Sequence, residues 1–178
     1  MLDEKKLENL IIRNMQEGDI DSVARISDEG FNEYYPFDYK KSAELMFLNT
    51  KQGYVHVFVA EIEGAVVGYV TLKPWHDGGW IDLIAVEKQS RRSGLAQKLV
   101  EYLINEALRR QMRYLTCCIS IELTSVKSFW ESCGFKLVGT MEKLLSPTHD
   151  GFLFYKYIEK TPISCMKNSS HDHMCNCK

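Results

Sequence analysis

The stretch Ile81-Asp82-Leu83-Ile84-Ala85-Val86-Glu87-Lys88-Gln89-Ser90-Arg91-Arg92-Ser93-Gly94-Leu95-Ala96 holds the plan of this chain. It starts as an apolar, β-branched run, becomes a basic loop with one glycine, and ends in a segment with helical spacing. Leu95, Leu99, Leu103 and Ala107 form one ridge of that segment, and Val100, Ile104 and Leu108 widen it. A strand over residues 80–86 therefore feeds a long helix over 94–110. In physical terms the junction is an anion site. The first N–H groups of a helix have no internal acceptor, and the helix dipole favours negative charge beside them. Gly94 lets a ligand approach the backbone closely. Arg91 and Arg92 add permanently charged, planar donor forks. A pyrophosphate suits such a place. A glycine after a strand is also common and loop arginines are usually just solvated, so the junction alone leaves both readings open.

Before this junction, residues 10–13 are a short apolar strand entry. Gly18-Asp19 offers a turn and a helix cap, followed by Ile20, Val23, Ala24 and Ile26 at helical spacing. Residues 31–39 are aromatic and acidic, hold Pro36, and read as a loop; residues 43–48 read as a second short helix. Residues 55–62, 65–72 and 80–86 form an antiparallel meander with a turn at Glu63-Gly64 and another at 76–79. Residues 114–121 are strand-like, and 124–132 are a helix stopped by Gly134 in the left-handed conformation. Residues 135–145 and 152–158 are two final strands. The fold class is α/β (α+β), a mixed and mostly antiparallel sheet with helices on both faces. One domain over residues 1–160 precedes a polar tail over 161–178.

Bulk properties exclude several classes of function. The chain has 178 residues, enough for one domain with a sizeable core. With 45% hydrophobic and 26% charged residues it is globular rather than disordered. A net charge of −2 supplies no bulk positive field for nucleic acid. The start of the chain is charged and lacks the apolar stretch of a signal peptide, and no apolar run is long enough to span a bilayer. A cytoplasmic protein that binds neither nucleic acid nor membrane is the expectation. Of the six cysteines, three fall in segments that read as core, which suits reduced thiols.

Two motifs together carry a family resemblance. Arg91-x-x-Gly94-x-Ala96 after the strand resembles the acetyl-CoA signature of the GNAT acyltransferases, written Q/R-x-x-G-x-G/A. Phe129-Trp130-Glu131-Ser132-Cys133-Gly134-Phe135 resembles the family's F/L-Y-x-x-x-G-F, at the expected distance. The order of elements agrees, and the resemblance covers about residues 10–160. It implies a sheet in which the strand over 80–86 splays from that over 114–121, with the pantetheine arm of acetyl-CoA in the gap. Ile84, Ala85 and Val86 then face the arm. Arg92, Ser93, Gly94, Leu95, Ala96 and Gln97 cradle the pyrophosphate, with Arg91 beside it. The implied activity is direct transfer of an acetyl group from acetyl-CoA, as cosubstrate, to a primary amine of a small molecule or peptide. It requires no metal, and a homodimer is compatible with it.

A base must free the attacking amine. Asp82 shares a face with Ile84 and Val86 by strand alternation, and Glu122 ends the other splayed strand. Each also reads as a solvated or helix-capping acid. The chain departs from the family in three places. The tyrosine that protonates the leaving thiolate falls on Trp130, whose N–H is a donor only. The family asparagine falls on Leu123, and a frequent glutamate falls on Cys118. Thiolate release can proceed to water, since a thiol of pKa about 8.5 needs little acid help. Tyr155 and Tyr157 are alternative phenols but read better as strand residues. Cys118 reads better as structural than as a nucleophile. The departures also motivate a second class of function, a module that senses acetyl-CoA without turnover.

The acceptor side falls to Tyr34, Tyr35, Phe37 and Trp80, with Glu33, Asp38, Tyr39 and Trp75 nearby. Aromatic faces with carboxylates suit a cationic amine, although an aromatic loop packed on the sheet accounts for the same residues. In the tail, His171, His173, Cys175 and Cys177 are soft and borderline ligands that could hold zinc or copper. Their one-residue gaps strain chelation, and a disordered tail is the other reading.

Overall fold

The computed structural model describes residues 7–32, 37–147 and 149–158. In chain order its elements are β1 (Leu10–Asn14), α1 (Ile20–Phe31), α2 (Tyr39–Lys51), β2 (His56–Ile62), β3 (Ala65–Trp75), β4 (Gly78–Ile81) and β5 (Ile84–Val86). Then follow α3 (Leu95–Arg109), β6 (Tyr114–Ser120), α4 (Thr124–Ser132), β7 (Lys136–Ser146) and β8 (His149–Tyr157). No helix among the described residues is long and apolar enough to cross a membrane.

The apolar runs of β2 and β3 build two cores at once. Successive side chains point to opposite faces of a strand. Phe58, Ala60, Ile62, Val70 and Leu72 join one cluster with Leu95, Leu99 and Leu103 of α3 and Trp130 of α4. Val57, Val59 and Tyr69 join the other, with Val23, Ala24 and Ile26 of α1 and Ala43 of α2. Both faces of the sheet are therefore covered by helices, as the near-continuous hydrophobic runs require. Gly134 ends α4 with φ +79°: its N–H donates to the Glu131 carbonyl, and the Phe135 N–H donates to that of Trp130. That pattern stops a helix with its last carbonyls satisfied.

Among the described residues the sheet has eight strands in the order β1-β2-β3-β4-β6-β8-β7, with β5 on β3 beyond β4. Every pairing is antiparallel except β4 with β6, which α3 makes parallel as a crossover. The expected mixed, mostly antiparallel sheet is thus present. The single strand expected over 80–86 is two, β4 and β5, interrupted at Asp82 and Leu83.

Arg13 ties β1, β2 and the entry to α1 together. Its Nη1 and Nη2 donate to the Asp19 carboxylate at 2.7 and 2.9 Å, and its Nε donates to Glu61 at 2.8 Å. Asp19 is 6% exposed and also accepts the Gln16 N–H at 2.7 Å. Burial pushes this carboxyl up, but the hydrogen bonds from Arg13 and Gln16 outweigh it and hold it below the ordinary carboxylate range. A lowered folded-state pKa stabilises above the unfolded pKa of about 3.9, and the contribution is lost as pH falls through the folded value. Asp19→Ala is expected to lower unfolding free energy by about 2 kcal/mol at pH 7 in urea titration, with the deficit shrinking below about pH 4.

Candidate active site

The site begins where β4 parts from β5. On β3, Lys73 faces Trp80 and Val70 faces Ile84, so three steps on β3 oppose four on its partner. The extra residue is a bulge at Asp82–Leu83, and bulges re-aim a strand. Up to the bulge the strand pairs with β6, ending with Ile81 opposite Cys117. Beyond it, β5 stays on β3 alone, while β6 runs on through Cys118, Ile119 and Ser120 paired only with β8. A fork opens between β5 and β6.

The phase of the β3–β5 ladder determines what β5 presents to that fork. Thr71 N–H donates to the Leu83 carbonyl at 2.9 Å, and Glu87 N–H to that of Val67 at 3.0 Å. In an antiparallel pair such bonding alternates along the strand. Leu83, Ala85 and Glu87 therefore bond to β3, and the main-chain groups of Ile84 and Val86 turn away from it, toward the fork. The Val86 carbonyl is taken by Arg91 Nε at 3.0 Å. Ala85 is buried against the opposite core.

The loop after β5 is shaped from within. Ser90 Oγ donates to the buried Glu87 carboxylate at 2.7 Å, and Ser93 Oγ donates to the Ser90 carbonyl at 2.7 Å. Lys88 N–H donates to Glu29 on α1 at 3.2 Å, and this bond holds the Glu29 carboxyl below its usual range. Arg91 also donates through Nη2 to the Glu29 carbonyl at 3.2 Å, so its fork clamps the loop to α1 and β5. Its donors serve main-chain carbonyls.

Arg92 and Gly94 both have positive φ, at 60° and 85°. Alternating backbone of this kind turns successive N–H groups into a concavity that suits anions. No side chain caps α3: Gly94 is its N-cap without a side-chain bond, and the first bond is Lys98 N–H to the Gly94 carbonyl. The N–H groups of Leu95, Ala96 and Gln97 thus have no helical acceptor. Arg92 and Gln97 are exposed, and Ser93 and Ala96 are half-buried. An uncapped 15-residue helix, a backbone concavity and a strand edge turned outward fit a diphosphate with an extended amide-bearing arm.

Of the candidate bases, Asp82 lies in the bulge at the mouth of the fork. Its Oδ2 pairs with Lys73 Nζ at 2.6 Å. The strand break removes the alternation that linked it to Ile84 and Val86. Glu122 is exposed in the turn after β6, and its N–H donates to Ser120 Oγ at 3.3 Å. Trp130 is 2% exposed and packs against Phe129 and Phe135. Burial pushes the Cys118 thiol up to about 11, so it is a poor nucleophile. Tyr155 stacks on Tyr114 at the far end of β6.

On the acceptor side, Trp80 is half-buried in β4 between Lys73 and Thr116, and Phe37 is 71% exposed before α2. Tyr34 and Tyr35 lie outside the described residues, as do His171, His173, Cys175 and Cys177. Sequence reasoning missed Thr71, Glu87 and Ser90, which shape the fork and the loop. The spacing Glu87-x-x-Ser90-x-x-Ser93, with polar side chains three apart in a tight turn, was the available signal for two of them.

Comparison with known proteins agrees with this fold. The sequence model of the acetyltransferase (GNAT) family matches residues 20–135. An uncharacterized N-acetyltransferase of Methanocaldococcus jannaschii is 26% identical over 148 residues, spanning 83% of this chain and 91% of the relative. The ribosomal-protein-alanine N-acetyltransferase of Brucella melitensis shares the fold with a TM-score of 0.72 at 22% identity, over 83% of this chain and 99% of that one. So does a spermidine/spermine N-acetyltransferase of Vibrio cholerae, with a TM-score of 0.69 at 16% identity, over 84% and 93%. The match spans more than half of the sequence, and the chain belongs to the GNAT acetyltransferase family.

Proposed function

We propose that this protein transfers the acetyl group of acetyl-CoA to a primary amine of a small molecule or peptide by direct attack. The observation that carries the proposal is the fork between β5 and β6 lying next to the uncapped start of α3. N–H groups of Arg92–Gln97 receive the pyrophosphate, and the edge of β5 receives the pantetheine arm. The Ile84 or Val86 N–H polarises the thioester carbonyl and holds the oxyanion as the amine adds; one such donor is worth about 10²–10³ in rate. The carbon–sulfur bond then breaks, and the thiolate takes its proton from water. Trp130 supplies no acid for that step.

Asp82 is the base or the group that seats the ammonium, because it stands at the mouth of the fork. Asp82→Asn is expected to lower kcat/KM at pH 7 about 100-fold. The deficit should shrink as pH approaches the pKa of the amine, where free amine no longer needs a base. Glu122→Gln should stay within about twofold. A pH profile of thiol release for both variants checks this, and equal losses would remove Asp82 from the role.

The acceptor is an amine, and the two structural neighbours are named for very different ones, a ribosomal protein and a polyamine. A thiol-release screen with acetyl-CoA against polyamines, aminoglycoside-type amines and peptide N-termini tests the whole reading. Acceptor-dependent release supports it. Tight coenzyme binding with no release for any amine would overturn it in favour of a sensor.

A further inference from the structure

We infer that Thr71 is a positioning residue that holds β5 in the phase the reaction needs. The inference rests on the acetyl-transfer reading above and names a residue no motif points to. Thr71 lies on β3, is 1% exposed, and faces the bulge. Its N–H donates to the Leu83 carbonyl at 2.9 Å, and its Oγ1 accepts the Leu83 N–H at 2.9 Å. In a regular antiparallel pair the acceptor for that N–H would be the Thr71 carbonyl. Here the hydroxyl oxygen replaces it, which is how the ladder accommodates the extra residue without leaving a buried donor unpaired.

The substitution has consequences one residue on. With Leu83 bonded to Thr71 through both its N–H and its carbonyl, Ile84 has its main chain turned toward the fork, and so in turn does Val86. The salt bridge between Lys73 and Asp82 brackets the same bulge, but both groups are substantially exposed and an exposed pair holds geometry weakly. Thr71 is the buried half of the clamp. Without an acceptor at its Oγ, β5 has two ways to satisfy Leu83: slide toward a regular ladder or lift from β3. Either one moves Ile84 and Val86 off the line of the acyl group. The diphosphate loop has ties that do not run through β5, from Ser90 Oγ to Glu87, from Ser93 Oγ to the Ser90 carbonyl, and from Lys88 N–H and Arg91 Nη2 to Glu29 of α1, and keeps its form.

The test compares full-length wild type with T71V, which keeps the shape but removes the acceptor, and T71S, which keeps the acceptor. T71A stands in should T71V not fold. Amide exchange over residues 82–87 is measured by mass spectrometry. Calorimetry gives affinities for coenzyme A and for 3′-phosphoadenosine 5′-diphosphate, which lacks the arm. Expected are exchange about tenfold faster in T71V, nucleotide affinity within about twofold of wild type, and a tenfold loss in the advantage of coenzyme A over the nucleotide. T71S should match wild type throughout. Unchanged exchange in T71V, an unchanged affinity ratio, or a T71S chain that fails as T71V does would each overturn the role of Thr71. If wild type bound neither nucleotide, the acetyl-transfer reading would fall, and the exchange comparison would still judge the clamp.

Discussion

Gly94→Glu is expected to weaken coenzyme A binding at least about 100-fold while the fold survives, a loss of about 2.7 kcal/mol. Gly94 has φ +85°, where a residue with a Cβ is strained by about 1–2 kcal/mol. A Cβ there would meet nothing within 4 Å, so packing does not forbid it. The new carboxylate would sit beside the uncapped N–H groups of α3 and act as the anion they bind. It would favour the helix dipole by about 0.3–1 kcal/mol, offsetting part of the strain, so melting temperature should move little. Charge repulsion and occupied donors would both exclude the diphosphate. Gly94→Ala isolates the strain and should weaken binding less than about tenfold. Calorimetry on the two variants separates an anion site from a merely tight turn.

Trp130→Ala is expected to lower unfolding free energy by about 3–5 kcal/mol, the range for a large ring removed from a core. The ring lies within 4.9 Å, centroid to centroid, of Phe135 and 5.2 Å of Phe129, beneath the sheet face covered by α3. A domain of ordinary stability, about 5–15 kcal/mol, would retain little. Trp130→Phe should behave differently. The indole Nε1 is buried with no acceptor among the described residues, and an unpaired buried donor costs about 1–3 kcal/mol. Phenylalanine gives up ring volume but relieves that cost, so the net change should stay within about 1 kcal/mol. Denaturant titration of the two variants checks the contrast.

The sequence made the strand–loop–helix junction legible because two periodicities meet there, a β-branched run and the four-residue ridge from Leu95 to Ala107. It made both faces of the sheet legible through the apolar runs of β2 and β3. It did not reveal that the strand over 80–86 breaks at Asp82. The break depends on the hydroxyl of Thr71, eleven residues earlier, and on the competing pull of β6, which arrives only after α3; no local pattern encodes either. For the same reason alternation misjudged Asp82, since a bulge resets which side each residue takes. By residue type Arg91 and Arg92 are alike, and only the family resemblance sets Arg92 in the cradle and Arg91 beside it. In the fold Arg91 is committed to carbonyls of Val86 and Glu29, whereas Arg92 takes a left-handed backbone conformation and stays exposed. Of the aromatic acceptor-side candidates, composition alone does not say that Trp80 enters the sheet between Lys73 and Thr116 while Phe37 stays exposed.

The proposed function places a diphosphate on the N–H groups opening α3 and its arm along the edge of β5. A nuclear magnetic resonance titration of the isotope-labelled chain with coenzyme A tests it residue by residue. Expected are saturable amide shifts concentrated at Arg92 to Gln97 and at Ile84 and Val86, with those of β1 and β7 nearly still. Saturation with the α3 amides unmoved, or with the largest shifts away from the fork, would contradict it.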